Sequence, residues 1–326
     1  MTDALVIGGT RFIGRHLVTE LLDSGYDVTL FNRGNHDDPF ADAPDVDHVT
    51  GDRKSDAALE HARDEVDPAI VVDCVAYYPG EVRMATEIFA DVDAYVFISS
   101  GSAYGTNEIP KREGQTDLEL CSEEQAVDDS HATYGARKAE GDRAVFAAAE
   151  NGVNAMSVRP TIVYGPHDYT GRLNYWTERV READRILLPG DGTNIHHLVA
   201  VENVTRAIRT VAEEGEPGEA YNVGDHRVLT LGEVVERVAE GLDTDVEIVT
   251  ASERELAAGD LTQEDFPLYN PNPHLLATEK LHRLGWEPAD PADAIAATVT
   301  TEYETERDPG PDRSATEAVL ETLDVQ

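Results

Sequence analysis

Leu5-Val6-Ile7-Gly8-Gly9-Thr10-Arg11-Phe12-Ile13-Gly14 is the stretch from which the fold of this 326-residue chain is read. An apolar run, Ala4 to Ile7, enters a glycine turn. A helix follows, in which Phe12, Ile13, Leu17, Val18, Leu21 and Leu22 recur at helical spacing. Strand, glycine turn and helix in that order form the setting in which glycines signal a dinucleotide site. Gly8 allows the tight turn and Gly14 a close approach of helix to strand, while free N–H groups at the helix start face a pyrophosphate. Between these two glycines a third is usual, and here that position is Arg11.

Working outward, Asp27–Phe31, Val46–Thr50, Ala69–Cys74, Tyr95–Ser99 and Asn154–Arg159 read as further strands, the one ending at Cys74 as continuously apolar. They alternate with expected helices at Ala57–Glu65, Glu81–Ala90 and Ala132–Glu150. Strands with little polar alternation, separated by helices, predict an α/β fold: a Rossmann-type doubly wound parallel sheet covered on both faces. After Tyr164-Gly165-Pro166 the spacing changes, which predicts a smaller, interleaved C-terminal substrate domain. The expected division is 1–165 plus 198–224 for the dinucleotide domain and 166–197 plus 225–306 for the substrate domain. Residues 307–326 are expected to form an acidic tail, with a capped helix over Ser314–Leu323 as the alternative. The long polar connection Gly101–Ser130 reads either as a lid or as a solvated surface excursion.

The chain carries 65 acidic against 26 basic residues, a net charge of −39. Disorder is the ordinary meaning of such a charge, but apolar periodicity persists to about Val299. Adaptation to high salt accounts for it better, because screening removes the self-repulsion. Only four of the basic residues are lysines, which fits a halophilic surface. The charge argues against a broad nucleic-acid surface. Met1-Thr2-Asp3 leads straight into the first strand and no run approaches membrane-spanning length, so a cytoplasmic protein without a membrane anchor is expected. Cys74 and Cys121 form no pattern. His196-His197 and His167-Asp168 fall short of the three or four converging ligands a metal needs, so no metal is expected.

Two groups carry chemistry. Tyr134 and Lys138 lie four apart on the long helix and so share a face. A phenol is a poor base at neutral pH, and an ammonium beside it favours the phenolate. Such a tyrosine can take a proton from a substrate hydroxyl as hydride leaves the carbon, or return it in reverse. Ser99-Ser100 ends the fifth strand, where ligands of open α/β sheets bind, and a hydroxyl there can steady the reacting oxygen.

With these residues in view, the chain resembles the extended short-chain dehydrogenase/reductase family, the group of nucleotide-sugar epimerases and dehydratases. The resemblance runs to about Val299. It rests on Gly8-Gly9-Thr10-Arg11-Phe12-Ile13-Gly14, Gly51-Asp52, Ser99-Ser100-Gly101-Ser102-Ala103-Tyr104-Gly105 and Tyr134-Gly135-Ala136-Arg137-Lys138. Arg159-Pro160, Tyr164-Gly165-Pro166, Tyr221-Asn222-Val223-Gly224 and Leu284-Gly285-Trp286 continue the series. The resemblance implies that Asp52 accepts from the adenine amino group, that Ser100 is the catalytic hydroxyl and that Tyr134 and Lys138 form the proton relay. It also implies dimerisation through two helices of the cofactor domain.

The departures are equally specific. Arg11 in the glycine turn, and the short connection Ala76–Tyr95, resemble an atypical branch that includes the chloroplast stem-loop-binding proteins. Phe31-Asn32-Arg33 stands where an NAD enzyme carries an acid for the ribose hydroxyls. A carboxylate there would repel a 2′-phosphate, whereas Arg33, with Arg11, can pair with it, so the cofactor is NADP or NAD with a tilt to NADP. On the substrate side, the nucleotide-sugar enzymes carry an asparagine where this chain has Ile162, and an arginine where it has His196. Gly101-Ser102 replaces the Asp-Glu pair of the dehydratases, which disfavours a 4,6-dehydratase. Gly171-Arg172-Leu173-Asn174-Tyr175-Trp176 is expected to border the substrate pocket, with Arg172, Arg179 or Arg185 for phosphate, Asn174 for hydrogen bonds, and Trp176 either as an aromatic wall or as simple packing. The expected activity is an epimerase or reductase acting at a secondary alcohol or ketone of a sugar-like substrate. The alternative is an RNA-associated or regulatory nucleotide-binding protein of the same fold.

Overall fold

The structure, a computed structural model, describes residues 2–301 and 309–324. In chain order its strands are β1 (Thr2–Ile7), β2 (Tyr26–Asn32), β3 (Val46–Thr50), β4 (Ile70–Asp73), β5 (Ala94–Ile98), β6 (Ala155–Pro160), β7 (Ile162–Tyr164), β8 (Arg185–Pro189), β9 (Ile195–His196), β10 (Leu198–Ala200), β11 (Ala220–Val223), β12 (Leu229–Thr230) and β13 (Glu247–Ala251). The helices are α1 (Phe12–Asp23), α2 (Asp56–Val66), α3 (Pro79–Ile88), α4 (Tyr134–Glu150), α5 (Arg172–Glu182), α6 (Val201–Glu214), α7 (Leu231–Gly241), α8 (Glu253–Leu256), α9 (Glu279–His282), α10 (Pro291–Thr300) and α11 (Arg313–Asp324).

The chain divides into two compact units. The first comprises residues up to Thr161, Val201–Gly224 and Leu276–Glu287. It holds a seven-stranded sheet in the order β11-β6-β5-β4-β1-β2-β3, parallel throughout. Every residue of β4 and β5 is buried, as continuous apolar strands under helices on both faces require. Leu5, Ile7, Phe31, Val71, Tyr95 and Phe97 fill one face of the sheet against Val82 and Val145. Each such side chain contributes about 1.5–3 kcal/mol on burial. The strand order reverses between β1 and β4, and the crevice beyond their carboxyl ends is where open sheets of this type take ligands.

The second unit comprises Ile162–Ala200, Asp225–Leu275 and the described residues from Pro288 onward. Short strand pairs, β7 with β10, β8 with β13 and β9 with β12, surround a core of Trp176, Leu188, Leu231, Val234 and Ile295. A capping box starts α7: Glu233 N–H donates to Thr230 Oγ1 at 3.1 Å, and Thr230 N–H to Glu233 Oε2 at 2.7 Å.

Several expectations are corrected here. The stretch Leu276–Glu287 belongs to the first unit, where Asn222 Nδ2 donates to Ala277 O at 3.1 Å and Trp286 Nε1 to Asn203 O at 3.0 Å. Those long-range bonds are invisible to helical or strand periodicity. Of the two readings of the C-terminal stretch the helix holds: α11 spans Arg313–Asp324, and its Val319 is fully buried in the second unit's core. Residues 307–308 and 325–326 of that tail, and 302–306 of the expected substrate domain, lie outside the described residues. Strand β4 is not continuously apolar, because it ends on the fully buried Asp73. The Gly101–Ser130 connection is pinned along the sheet edge rather than poised as a lid. Asn222 N–H of β11 donates to Glu113 Oε1 at 2.7 Å, and Arg143 Nη2 donates to Glu119 O at 2.8 Å. An edge strand that would otherwise expose its N–H groups is thereby covered.

Candidate active site

At Gly8, Gly9 and Gly14 no side chain fits. Gly8 and Gly9 adopt φ of +108° and +94°, in the left-handed region. A Cβ on Gly9 would collide with Leu30 Cδ2, and one on Gly14 would lie 2.7 Å from Gly9 N. Gly14 therefore packs the helix against the turn itself. Helix α1 opens without a side-chain cap and without an acid in its first turn, so its donors and dipole suit an anion. These features fit a dinucleotide pyrophosphate. Arg11 is the half-buried N-cap residue, in extended backbone, and Thr10 and Ile13 are half-buried beside it.

The remaining cofactor candidates lie at the ends of β2 and β3. Asn32 Oδ1 accepts from Gly34 N at 2.8 Å, so this side chain shapes its own loop. Arg33 is exposed and forms no ion pair among the described residues. Asp52 is exposed, and its Oδ1 accepts from Lys54 N at 3.0 Å.

Tyr134 is the first residue of α4, and Lys138 follows one turn later. The Lys138 ammonium is buried and donates to Ala76 O at 2.9 Å and Ile98 O at 2.6 Å, at the carboxyl ends of β4 and β5. Its Nζ lies 5.9 Å from the centre of the half-buried Tyr134 ring. Burial pushes this lysine down to about 8, while the carboxylates of Asp73, Asp142 and Glu81 pull in the opposite direction. Ser100 is half-exposed and caps a short 3-10 turn, its Oγ accepting from Ser102 N at 3.1 Å. A Cβ on Gly135 would collide with Ser102 O, so α4 begins tight against that turn. Ser99, by contrast, is buried. The structure thus gathers Ser100, Tyr134 and Lys138 at one end of the sheet, beside the reversal in strand order.

Arg53, Asp73, Tyr95 and Glu81, near this site, were not singled out by sequence reasoning. Arg53 donates to Asp73 Oδ2, and Tyr95 OH donates to the same oxygen at 3.1 Å. Glu81 accepts from the N–H groups of Tyr77 and Tyr78 at 2.8 and 3.2 Å, and Arg137 Nη1 donates to Tyr77 O at 3.1 Å. The usable signal was Asp73, a charge inside an apolar run. The landmark residues Tyr104, Arg159 and Asn222 prove to be one buried network. Arg159 Nε donates to Asp142 Oδ2 at 2.8 Å, its Nη1 to Tyr104 OH at 3.0 Å, and Tyr104 OH to Asn222 Oδ1 at 2.9 Å. A cavity of about 1120 Å³ lies elsewhere in this unit, between the pinned connection, Arg143, Phe146 and Glu219.

Apart from Ser100, the substrate candidates lie in the second unit. Ile162 is half-buried in β7 and packs on that unit's core. Arg172 Nε donates to Thr170 Oγ1 at 3.1 Å, and Asn174 is half-buried on α5. Trp176 is fully buried, donating from Nε1 to Pro267 O at 3.0 Å and stacking on Phe266. It is a core side chain, which corrects its expected role as a pocket wall. His196 is buried on β9 with its Nε2 unpaired, and burial lowers its pKa to about 4, so the ring is neutral. No group of His, Cys, Asp and Glu among the described residues is placed to hold a metal, and no described helix is long and apolar enough to cross a membrane.

Comparison with known proteins adds to this geometry. Residues 4–88 and 79–224 match the profile described as the NAD dependent epimerase/dehydratase family. The chain is 27% identical to the chloroplast stem-loop binding protein of 41 kDa b of Arabidopsis thaliana, over 87% of this chain and 74% of that one. It is 24% identical to mouse dTDP-D-glucose 4,6-dehydratase, over 90% and 87% of the two chains. Among solved structures, the dTDP-glucose 4,6-dehydratase of Bacillus anthracis in complex with NAD superimposes with a TM-score of 0.72. That match has 23% identity and covers 92% of this chain and 96% of the other.

Proposed function

Because the chain belongs to the NAD dependent epimerase/dehydratase family, we propose that it is a nicotinamide-dependent epimerase or reductase acting at a secondary alcohol or ketone of a sugar-like substrate. The observation that carries this reading is the buried Lys138 ammonium beside the Tyr134 ring, at the end of the sheet that also holds the glycine turn. When bound, the dinucleotide supplies the acceptor and donor of hydride. Gly8, Gly9 and Gly14 would admit its pyrophosphate, with the α1 N-terminus as the anion site.

The chain's own residues handle the proton. Tyr134, as phenolate, takes the proton of the substrate hydroxyl, and as phenol returns it to the carbonyl oxygen in the reverse direction. Lys138 favours the phenolate by its charge. Ser100, half-exposed at the end of β5, steadies the same oxygen by hydrogen bonding. Transient oxidation gives an epimerase, and net transfer gives a reductase. The Gly101-Ser102 sequence supplies no acid–base pair for eliminating water, which disfavours a dehydratase. Arg33, exposed and without an ion pair among the described residues, favours NADP over NAD.

Tyr134→Phe tests this reading. Turnover should fall by a factor of about 10²–10⁴ while dinucleotide affinity holds. A fully active variant would refute the assignment.

The resemblance to a stem-loop binding protein favours a second reading, RNA association. A net charge of −39 opposes it, since RNA affinity depends on neutralising phosphates. Tight filter binding of structured RNA in molar salt would revive it.

A further inference from the structure

The turn Val75–Tyr78, directly after β4, is gripped from two sides. From α4, consecutive side chains donate to consecutive carbonyls: Lys138 Nζ to Ala76 O at 2.9 Å and Arg137 Nη1 to Tyr77 O at 3.1 Å. From beneath, two buried carboxylates accept the N–H groups of the turn. Asp73 Oδ1 takes that of Val75 at 3.1 Å, and Glu81 Oε2 takes those of Tyr77 and Tyr78 at 2.8 and 3.2 Å. Arg53 joins the two acids, donating to Asp73 Oδ2 and lying 3.7 Å from Glu81 Oε2. Asp73 is fully buried, and Arg53 and Glu81 are 7% exposed.

This arrangement costs more than a fold requires. Taking ions out of water is expensive, and well-packed apolar residues would hold a turn at least as stably. The charge balance explains why the ions are present. Around the turn Arg53, Arg137 and Lys138 are three buried cations, and Asp73 and Glu81 are the two buried anions set against them. Without the acids, the Lys138 ammonium would stand in the protein interior uncompensated.

We propose that Asp73 and Glu81, joined by Arg53, are positioning residues for Lys138: they fix the Ala76 carbonyl that receives its ammonium and supply the negative charge that offsets it. The proposal rests on the reading of Lys138 as the cation of the relay. The groups that act on the Lys138 charge are the carboxylates of Asp73, Asp142 and Glu81 and the Cys74 thiol, and the Tyr134 ring lies beside its Nζ. Asp142 is committed to Arg159, which leaves Asp73 and Glu81 as the acids tied to the turn.

Four lysines, Lys54, Lys111, Lys138 and Lys280, make the test direct. With lysine labelled at Cε, each side chain can be titrated by NMR in the whole protein, in wild type, Asp73→Asn and Glu81→Gln, with NADH affinity measured alongside. Both substitutions keep the shape and an acceptor for the turn but remove the charge. The Lys138 midpoint should fall by about one pH unit or more in each variant while Lys54, Lys111 and Lys280 stay in place, and NADH affinity should drop about tenfold at pH 8. If Asp73→Asn does not fold, Glu81→Gln decides by the same readouts. An unchanged Lys138 midpoint in a folded variant would overturn the proposal. A wild type that binds no NADH would instead overturn the proposed function, and the lysine titration would still decide the positioning role.

Discussion

Lys138 Nζ donates to the Ile98 carbonyl oxygen at 2.6 Å, which ties the start of α4 to the end of strand β5. Burial there pushes the ammonium down to about 8 from its ordinary 10.5. The consequences for activity and for stability run in opposite directions. On the proposed mechanism the lysine, charged below about 8, favours the Tyr134 phenolate, and above that pH the support is lost. Dinucleotide-dependent turnover should therefore decline as pH rises through about 8.

Stability should move the other way. Between about 8 and 10.5 the unfolded chain keeps a proton that the folded chain has released. The unfolded state thus binds more protons, and stability rises with pH across that window. Below 8 the buried charge exerts its full cost. Urea unfolding of wild type against Lys138→Met, at pH 7 and pH 10, isolates this contribution. The wild type should gain relative to the variant at the higher pH, and an unchanged difference would contradict the burial of a charged lysine.

The Arg159–Asp142 pair is sealed from solvent on both sides, at 3% and 0% side-chain exposure. Asp142→Ala leaves the guanidinium buried with no counter-charge, which costs about 3–5 kcal/mol. Denaturation in molar salt should show that loss. Asp142→Leu combined with Arg159→Met should recover much of it, because neither charge then remains. A double variant as unstable as the single one would show that the network acts through shape rather than charge.

On the proposed reading, Arg33 tilts the cofactor toward NADP. Replacing it by alanine should weaken NADPH binding about tenfold, the scale of one charge-assisted hydrogen bond, and leave NADH binding unchanged. Fluorescence titrations of the two reduced cofactors measure this. Tighter NADH binding by wild type, unaltered in the variant, would remove the preference for NADP.

How much was legible beforehand depended on whether the signal was local. The β1–turn–α1 unit, the alternating strands and the Tyr134–Lys138 pair are local patterns, so the doubly wound sheet and the nearness of those two side chains could be read directly. The clamp around Val75–Tyr78 could not, because Arg53, Asp73 and Glu81 meet only once β3, β4 and α3 are assembled. Reading Ala69–Cys74 as uniformly apolar hid the one residue, Asp73, that pointed to it. Trp176 misled for the complementary reason: an aromatic residue on an amphipathic helix looks the same whether it lines a pocket or fills a core. Here Pro267 and Phe266, far along the chain, claim it. The assignment of Leu276–Glu287 was lost in the same way, since Asn222 and Asn203 hold that stretch from a distance.

The central claim is that the glycine turn after β1 holds a nicotinamide dinucleotide. Titration of NADH and NADPH by nicotinamide fluorescence in molar KCl tests it most directly, with wild type and Gly14→Ala side by side. A Cβ at position 14 would sit 2.7 Å from Gly9 N and push the helix off the turn. The wild type should bind saturably, one dinucleotide per chain, and Gly14→Ala should lose about tenfold or more in affinity. No saturable binding by the wild type, or equal binding by the variant, would contradict the account.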